Sequence, residues 1–510
     1  MTKKKHPFPW IAGIILMLSL GLVLWPLFRQ GFFVADDGEW MVIRLSAFYQ
    51  SLASGQFPVR FLGRLNNSYG YPVANFLYPG FLYIGSVLHV AGLSFVDAIK
   101  VILGVSVAGG ALATFMALRS RFKTIPSIFG MMSFVFSPYL LYDLYRRGSV
   151  GEVLGIFAAT IALFSLTRGL VWLMAPAVAF LIVSHNTVAL IAGLAIGVLI
   201  LVHPQRLAMI ISAAWGVGMS MFFWLPALVE KRFVRFDTTI VSNPSYYFIN
   251  VENAVLLGVG VIISLAIILG FFKKLTKLDK VMTLLALLGT LLSVAISAPF
   301  WSIPLLGKLV QFPYRFLVLS VLFGPWVVAL ASEKVRGWQQ KLFGVILLIV
   351  FSHGTITQLT DIRFVERSEG YYTTNEATTN VANEYMPLWV TDIPLSRPVE
   401  TLEVIDGDVE ILHRTFLGEY IKVDVDAKMD SVVQINKIYY PGWGITLDNK
   451  LMPINYQNPL GVMRVEVPAG THTLVAIFRE TPLRLFADVA SILCVIGYFI
   501  FVKRLWRSVT

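Results

Sequence analysis

Long apolar stretches, divided by short polar turns and basic clusters, limit this chain to folds that are built in a bilayer. Crossing ~30 Å of hydrocarbon takes roughly 20 residues of helix. Twelve runs approach or reach that length: 10–28, 95–118, 126–142, 150–166, 170–183, 187–202, 207–225, 254–272, 281–296, 316–331, 342–357 and 486–502. The first follows Lys3-Lys4-Lys5, but it is long and has no small-x-small cleavage site before Arg29, so it reads as a retained anchor. Composition agrees, with 56% hydrophobic and 14% charged residues among 510 and a mean hydropathy of +0.72. Soluble domains run near a quarter charged.

The charge is unevenly placed. Residues 361–484 hold 18 acids and 11 bases, a net of −7, which leaves 30 bases and 12 acids, a net of +18, for the apolar remainder. Because that positive charge lies in short flanks between apolar runs and on no groove-sized face, a dedicated nucleic-acid binder is excluded. The one cysteine, Cys494, lies within an apolar run, which excludes disulfides, cysteine-rich zinc sites and thiol-redox motifs and leaves packing as its use.

The positive-inside rule orients the runs. A thirteenth candidate, 76–91, is shorter and broken by Pro79. If it lies in the interface rather than crossing, the basic clusters 3–5, 119–123, 203–206, 273–280, 334–341 and 503–507 all share one side. Both termini are then expected in the cytoplasm. The outer face is expected to carry the loop 29–94, the turn 143–149, the corner 184–186, and the segments 229–252, 297–314 and 358–484.

That last segment changes character. Residues 402–405, 420–425, 432–438 and 463–467 are rich in β-branched residues with partial alternation, and Asp406-Gly407-Asp408, Pro441-Gly442-Trp443, Asp448-Asn449 and Pro468-Ala469-Gly470 separate them as turns. A small antiparallel sandwich is expected. The expected fold is therefore a polytopic α-helical membrane protein of about twelve spans, with an extracytoplasmic all-β module before the last helix. Its parts are a multi-span domain over 1–357 with a catalytic first outer loop at 29–94, the β-module over 358–484, and a final transmembrane helix with a cytoplasmic tail over 485–510.

Polar residues in the membrane body cluster at the outer ends of helices. A transporter places ionisable groups or broken helices near the bilayer midplane, whereas a site at the boundary suits chemistry on a lipid head group. The sharpest cluster is Asp36-Asp37-Gly38-Glu39, just past the first run. Three acids in four positions repel one another, which suits a general base or a set of metal ligands, with Mg or Mn as the candidate divalent cation. It equally suits an N-cap and acidic first turn for the helix that follows.

The segments Gly55-Gln56-Phe57-Pro58-Val59-Arg60, Asn66-Asn67-Ser68-Tyr69-Gly70-Tyr71-Pro72 and 75–79 set aromatic rings, Tyr71 among them, beside amides. They fit sugar rings or a membrane interface. Tyr145-Arg146-Arg147-Gly148 with Glu152 puts two arginines on the outer side, against the usual bias, where forked hydrogen bonds hold phosphate or anchor to ordinary lipid. His185 and Asn186 stand at a tight corner as structural residues or ligands. Arg315, in Gln311-Phe312-Pro313-Tyr314-Arg315-Phe316, enters the bilayer where an arginine needs an anion. No G-x-x-x-x-G-K-[ST], no G-x-G-x-x-G after a strand and no H-E-x-x-H is present, so soluble nucleotide binding and zinc proteolysis have no support.

An acidic pair in the first outer loop, a Pro/Tyr-rich interfacial segment, many spans and a late β-module together resemble the GT-C superfamily of integral-membrane glycosyltransferases. More narrowly, Asp36-Asp37-Gly38-Glu39, Gly55-Gln56-Phe57-Pro58, Gly70-Tyr71-Pro72, Tyr145-Arg146-Arg147-Gly148 with Glu152, Ser184-His185-Asn186 and Phe312-Pro313-Tyr314-Arg315-Phe316 look like a bacterial membrane family labelled "6-pyruvoyl-tetrahydropterin synthase-related". Tyr439-Tyr440-Pro441-Gly442-Trp443 with Val467-Pro468-Ala469-Gly470-Thr471-His472 looks like the end of YfhO-type membrane proteins. The pterin label names no activity here, because that enzyme needs a zinc-binding histidine cluster and the seven histidines of this chain are scattered.

The resemblance implies an inverting transfer of a sugar from a polyprenyl-phosphate lipid to a cell-envelope glycan, lipid or protein on the outer face. The loop acid would be Asp36 or Asp37, and Arg146, Arg147, Glu152, His185, Asn186, Arg315 and Tyr71 would bind substrate or lipid phosphate; the metal requirement stays open. The alternatives are a non-enzymatic lipid or polysaccharide transporter and a surface scaffold that uses the β-module.

Overall fold

The structure, a computed structural model, describes residues 9–238 and 243–507; the Lys3-Lys4-Lys5 cluster lies outside the described residues. Among them, seven helices are long and apolar enough to cross a membrane. An eighth crossing forms if Arg206–Met219 and Met221–Phe233, bent by 66° at their junction, are one span. The bend falls at Ser220, whose Oγ donates to Gly216 O and Val217 O, a back-bond that competes with the helical ladder. The other four apolar runs fold as Val171–Ser184, Asn186–Leu201, Val259–Leu269 and Lys277–Leu292, of 11–16 residues each. At 1.5 Å per residue a 16-residue helix is only about 24 Å long. The twelve expected runs therefore do not give twelve full-length crossings.

The first four helices are α1 (Trp10–Leu24), α2 (Gly38–Ala53), α3 (Gly80–Val90) and α4 (Phe95–Leu118). A helix apolar on every side belongs in the middle of a bundle. Leu317–Lys334 is that helix, buried from Leu317 to Ser332 and packed by Thr124–Val135, Lys277–Leu292 and Val259–Leu269. Its backbone is approached closely through glycine: a Cβ on Gly130 would lie 2.5 Å from Pro325 O, and one on Gly289 would lie 2.8 Å from Phe316 O.

Ten strands follow two patterns. β1 (Phe32–Phe33), just past α1, pairs antiparallel with β2 (Phe364–Val365), which ties the first loop to the start of the segment beyond Trp338–Leu359. The remaining strands are β3 (Leu402–Asp406), β4 (Val409–Leu417), β5 (Tyr420–Ala427), β6 (Ser431–Ile438), β7 (Trp443–Leu447), β8 (Lys450–Met452), β9 (Val462–Val467) and β10 (Gly470–Phe478). They form antiparallel sheets in the orders β4-β5-β10-β7-β8 and β3-β6-β9. Alternate residues point inward along β5 (Ile421, Val423, Val425, Ala427), and they share one core with Val433 and Ile435 of β6 and Leu474 and Ala476 of β10, so the two sheets pack as a sandwich. Asp448 and Asn449, at φ 49° and 65°, make the two-residue hairpin between β7 and β8.

The sandwich is clamped onto the first loop. Phe61 stacks on Phe478 and meets Trp443 edge-on inside the sandwich core. Glu419 Oε1 accepts from Ser51 Oγ (2.8 Å) and Gly63 N (3.0 Å), and Lys437 Nζ donates to Gly63 O (3.0 Å) and Ser68 O (2.6 Å). On the membrane side, Arg484 at the head of the last helix, Pro482–Arg507, grips the buried Glu230 at 2.7 Å.

Candidate functional site

Tyr139, Asp143 and Arg147 recur at four-residue spacing, so a helix presents them on one face. The last turn, Asp143–Arg147, widens to π geometry and ends at Gly148 in the left-handed region (φ 64°); Val150–Arg168 then begins with Glu152 in its first turn. These pieces close on one another. Arg147 Nη1 donates to Asp143 Oδ1 (2.7 Å) and Glu152 Oε2 (2.6 Å), and Tyr139 OH donates to Glu152 Oε1 (2.7 Å). Arg315 Nε stands 3.9 Å from Glu152 Oε2, and the Arg147 guanidinium lies over the Tyr314 ring at 5.5 Å. Asp143 and Glu152 are 0% exposed, so their burial is tolerable only because two arginines face them.

The acidic loop is sewn to this cluster by main chain. Asp36 N donates to Arg146 O (3.0 Å) and Asp37 N to Arg147 O (2.8 Å). The approach requires glycine at 148, since a Cβ there would lie 2.7 Å from Gly38 Cα. Asp37 occupies the N-cap of α2, yet its side chain makes no capping hydrogen bond. Neither Asp36 nor Asp37 has a side-chain hydrogen bond or ion pair among the described residues, so the capping role considered from sequence is not realised.

Asp36 lines a cavity of about 510 Å³ together with Tyr142, Arg146, Glu252, Asn253 and Gln358. Partial burial, and after it the charge of Asp37, push the Asp36 carboxyl above its ordinary value of 3.8, while Arg147 acts in the opposite direction. Arg146 makes one side-chain hydrogen bond, from Nη2 to Thr360 O at 2.7 Å, and the other donors of its fork have no partner among the described residues.

Glu39 does not join the acidic pair. It accepts from Tyr372 OH (3.2 Å) and lies 3.6 Å from Arg367 Nε. No group of three or more His, Cys, Asp or Glu able to hold a metal occurs among the described residues. The contacts with Tyr372 and Arg367 turn Glu39 away from Asp36 and Asp37, so the three acids of the run are not gathered into one ligand group.

The other candidates divide. Arg147 and Glu152 are bonded to each other. Arg315 Nη1 donates to Val310 O (3.0 Å) and Gln311 Oε1 (2.9 Å), while its buried Nε has no hydrogen-bond partner. His185 caps Asn186–Leu201, its Nδ1 accepting from Val188 N at 3.2 Å, and its ring lies 4.7 Å from that of Tyr78. Asn186 is exposed and donates to Phe76 O at 3.4 Å. Tyr71 is away from the cluster: fully buried, it accepts the N–H of Tyr385 at 3.0 Å, and burial lifts its phenol well above the ordinary range. Through that bond it anchors the segment that carries Tyr385.

Sequence reading missed Asp143, Tyr139 and Tyr314, although the four-residue spacing of the first two with Arg147 was a usable signal. It also missed Arg44, buried in α2, whose Nε donates to Thr379 Oγ1 at 2.8 Å. Nothing in the sequence pairs positions so far apart.

No family model matches the chain, and no curated protein matches it. Among solved structures, it is similar to the arabinofuranosyltransferase AftD from Mycobacteria, at 15% identity and a TM-score of 0.46 over 70% of this chain and 27% of that one. It is also similar to the Archaeoglobus fulgidus oligosaccharyltransferase in its apo form, at 12% identity and 0.46 over 78% and 62%. A third similarity is to ArnT from Cupriavidus metallidurans bound to undecaprenyl phosphate, at 15% and 0.40 over 72% and 68%. The chain spans about a quarter of the length of the mycobacterial protein. Likenesses of this size carry no statement about reaction or substrate.

Proposed function

We propose that this chain is a membrane glycosyltransferase that moves a sugar from a polyprenyl-phosphate lipid to a cell-envelope acceptor outside the cytoplasm. The observation that carries the reading is the pair of partnerless carboxylates, Asp36 and Asp37, bonded through their main chain to Arg146 and Arg147 beside a cavity of about 510 Å³. A carboxylate with a raised pKa and no protein partner is suited to take a proton, and a guanidinium with unspent donors is suited to hold phosphate.

In this reading Asp36 removes the proton from an acceptor hydroxyl as its oxygen bonds to the anomeric carbon. The bond from that carbon to the phosphate oxygen breaks, and its electron pair leaves with the polyprenyl phosphate. Arg146 stabilises the phosphate charge that develops. A single displacement inverts the anomeric centre. The Asp143–Arg147–Glu152–Arg315 cluster holds the loop in place and takes no proton.

The test is mass spectrometry of cell-envelope glycans in a deletion strain. A missing glycosyl residue that returns with the wild-type chain and not with Asp36→Asn supports the assignment. An unchanged glycan profile contradicts it.

A further inference from the structure

The largest cavity described lies elsewhere. A cleft of about 800 Å³ lies between the end of α1 with the turn that follows it and the first half of α4. Its lower wall is apolar, with Leu24 and Leu27 facing Gly104 and Ala108. A Cβ on Gly104 would meet only Leu27 Cδ1, at 3.5 Å, so the helices leave room here that their own side chains do not fill. Packing attraction is lost along such a gap unless another chain occupies it. Phe28, at 87% exposure, and Val105, at 57%, flank the opening, so the cleft faces outward toward the apolar surroundings of the bundle.

Its upper end is cationic. Lys100 is 6% exposed and its Nζ has a single acceptor, Arg29 O at 2.7 Å, with no carboxylate within ion-pair distance. Arg29 makes neither a side-chain hydrogen bond nor an ion pair among the described residues and lies over the rings of Phe364, at 4.4 Å, and Trp25, at 6.0 Å. Arg367 also lines the cleft, with Glu39 3.6 Å away. The two acids on the rim are committed to helix starts: Asp97 Oδ2 accepts from Ser94 Oγ (2.7 Å) and Glu369 Oε1 from Phe95 N (3.1 Å). The charge of Asp97, three residues back on α4 and bonded to Ser94, only partly offsets the cost of burying this ammonium beside apolar helices, and an anion in the cleft relieves the remainder.

We infer that the α1–α4 cleft seats a single-chain lipid monophosphate, with its phosphate on Lys100 and Arg29 and its chain along Gly104 and Ala108. Charge complementarity at the rim selects phosphate, and the unfilled apolar floor selects a long chain. That this lipid is the sugar carrier rests on the proposed function; that it binds here does not. The donor would then reach the acidic loop from the α1 side, with the Glu39–Arg367 contact linking rim and loop.

The test is equilibrium binding of a polyprenyl monophosphate to the purified full chain, read by native mass spectrometry, in wild type, Lys100→Met and Gly104→Leu. Lys100→Met is expected to weaken binding about tenfold, as the loss of a charged hydrogen bond does. Gly104→Leu fills the floor without touching charge, keeps the test open if Lys100→Met does not fold, and should weaken binding as well. Inorganic phosphate should not compete. Unchanged affinity in both variants overturns the inference. So does equal competition by a diacyl phosphatidate, which makes the cleft a seat for ordinary membrane lipid. Wild-type binding with no transfer to any acceptor contradicts the proposed function and leaves the cleft assignment standing.

Discussion

Glu230 and Arg484 join the sandwich to the membrane body, and Asp36 and Asp37 stand at the loop between α1 and α2. The first site is closed. Glu230 Oε2 accepts from Arg484 Nη2 (2.7 Å), Asn75 Nδ2 (2.7 Å) and Tyr440 OH (3.2 Å), and its Oε1 from Arg484 Nε (3.0 Å), at 2% exposure. The second site is open, because its carboxylates have lost their usual capping work and touch no cation. A charge surrounded by donors serves the fold. A charge with no partner beside a cavity keeps its capacity to bind or to move a proton. In the Asp143–Arg147–Glu152 cluster, two of whose members sequence reading placed in the substrate site, Arg147 is bonded to both carboxylates.

Breaking the closed site should have the largest effect on stability. Arg484→Leu leaves Glu230 buried without its cation and is expected to cost about 3–5 kcal/mol. Thermal unfolding of the purified protein measures it. A melting temperature equal to wild type would mean that Glu230 is solvated, and the contrast between the sites would fail.

At the open site, charge should tune rather than hold. A general base works only when ionised, so the transfer rate should fall as pH drops through the Asp36 pKa, which lies above the ordinary carboxylate value of 3.8. Asp37→Asn removes one cause of that elevation, so the acid limb should move to lower pH while the melting temperature stays near wild type. A limb that does not move would remove Asp37 from the electrostatics of the base.

A pH-dependent effect on stability is expected at the clamp between sandwich and loop. Burial pushes the Lys437 ammonium down to about 8, against 10.5 for an unperturbed lysine. Between those values the unfolded chain binds the proton that the folded chain has released, so stability should rise as pH increases from about 8 to 10.5 and should fall in the reverse direction. Lys437→Met should flatten that slope. An unaltered slope would place the titration elsewhere.

Much of the architecture was legible because it follows local rules. Apolar runs mark helices, and β5, β6 and β9 show their inward alternation in sequence. β4 did not, because an outer strand such as Val409–Leu417 is exposed on nearly every residue and carries no period-two pattern. β1 and β2 are two residues each, too short for any pattern, and their pairing joins positions more than three hundred residues apart. Span length was misjudged where the break at Ser220 divides apolar sequence without a change in hydropathy, whereas the corner at His185 was read from sequence.

At the site, the motifs were visible one by one and their grouping was not. Asp36-Asp37 and Arg146-Arg147 each read as polar residues at the end of a run, and only the fold shows that their backbones are hydrogen-bonded. Whether a carboxylate is spent or free also depends on partners supplied from distant segments. That is why Glu39, in the same run as Asp36, is occupied by Tyr372 while its neighbours are not.

The most direct measurement is single-turnover transfer from a polyprenyl-phosphate sugar to a cell-envelope acceptor by purified Asp36→Asn, compared with wild type at equal melting temperature. The account predicts a rate lower by about 10²–10⁴-fold, the usual consequence of removing a general base, with inversion at the anomeric carbon in the wild-type product. Near-normal turnover by a folded Asp36→Asn protein would contradict it.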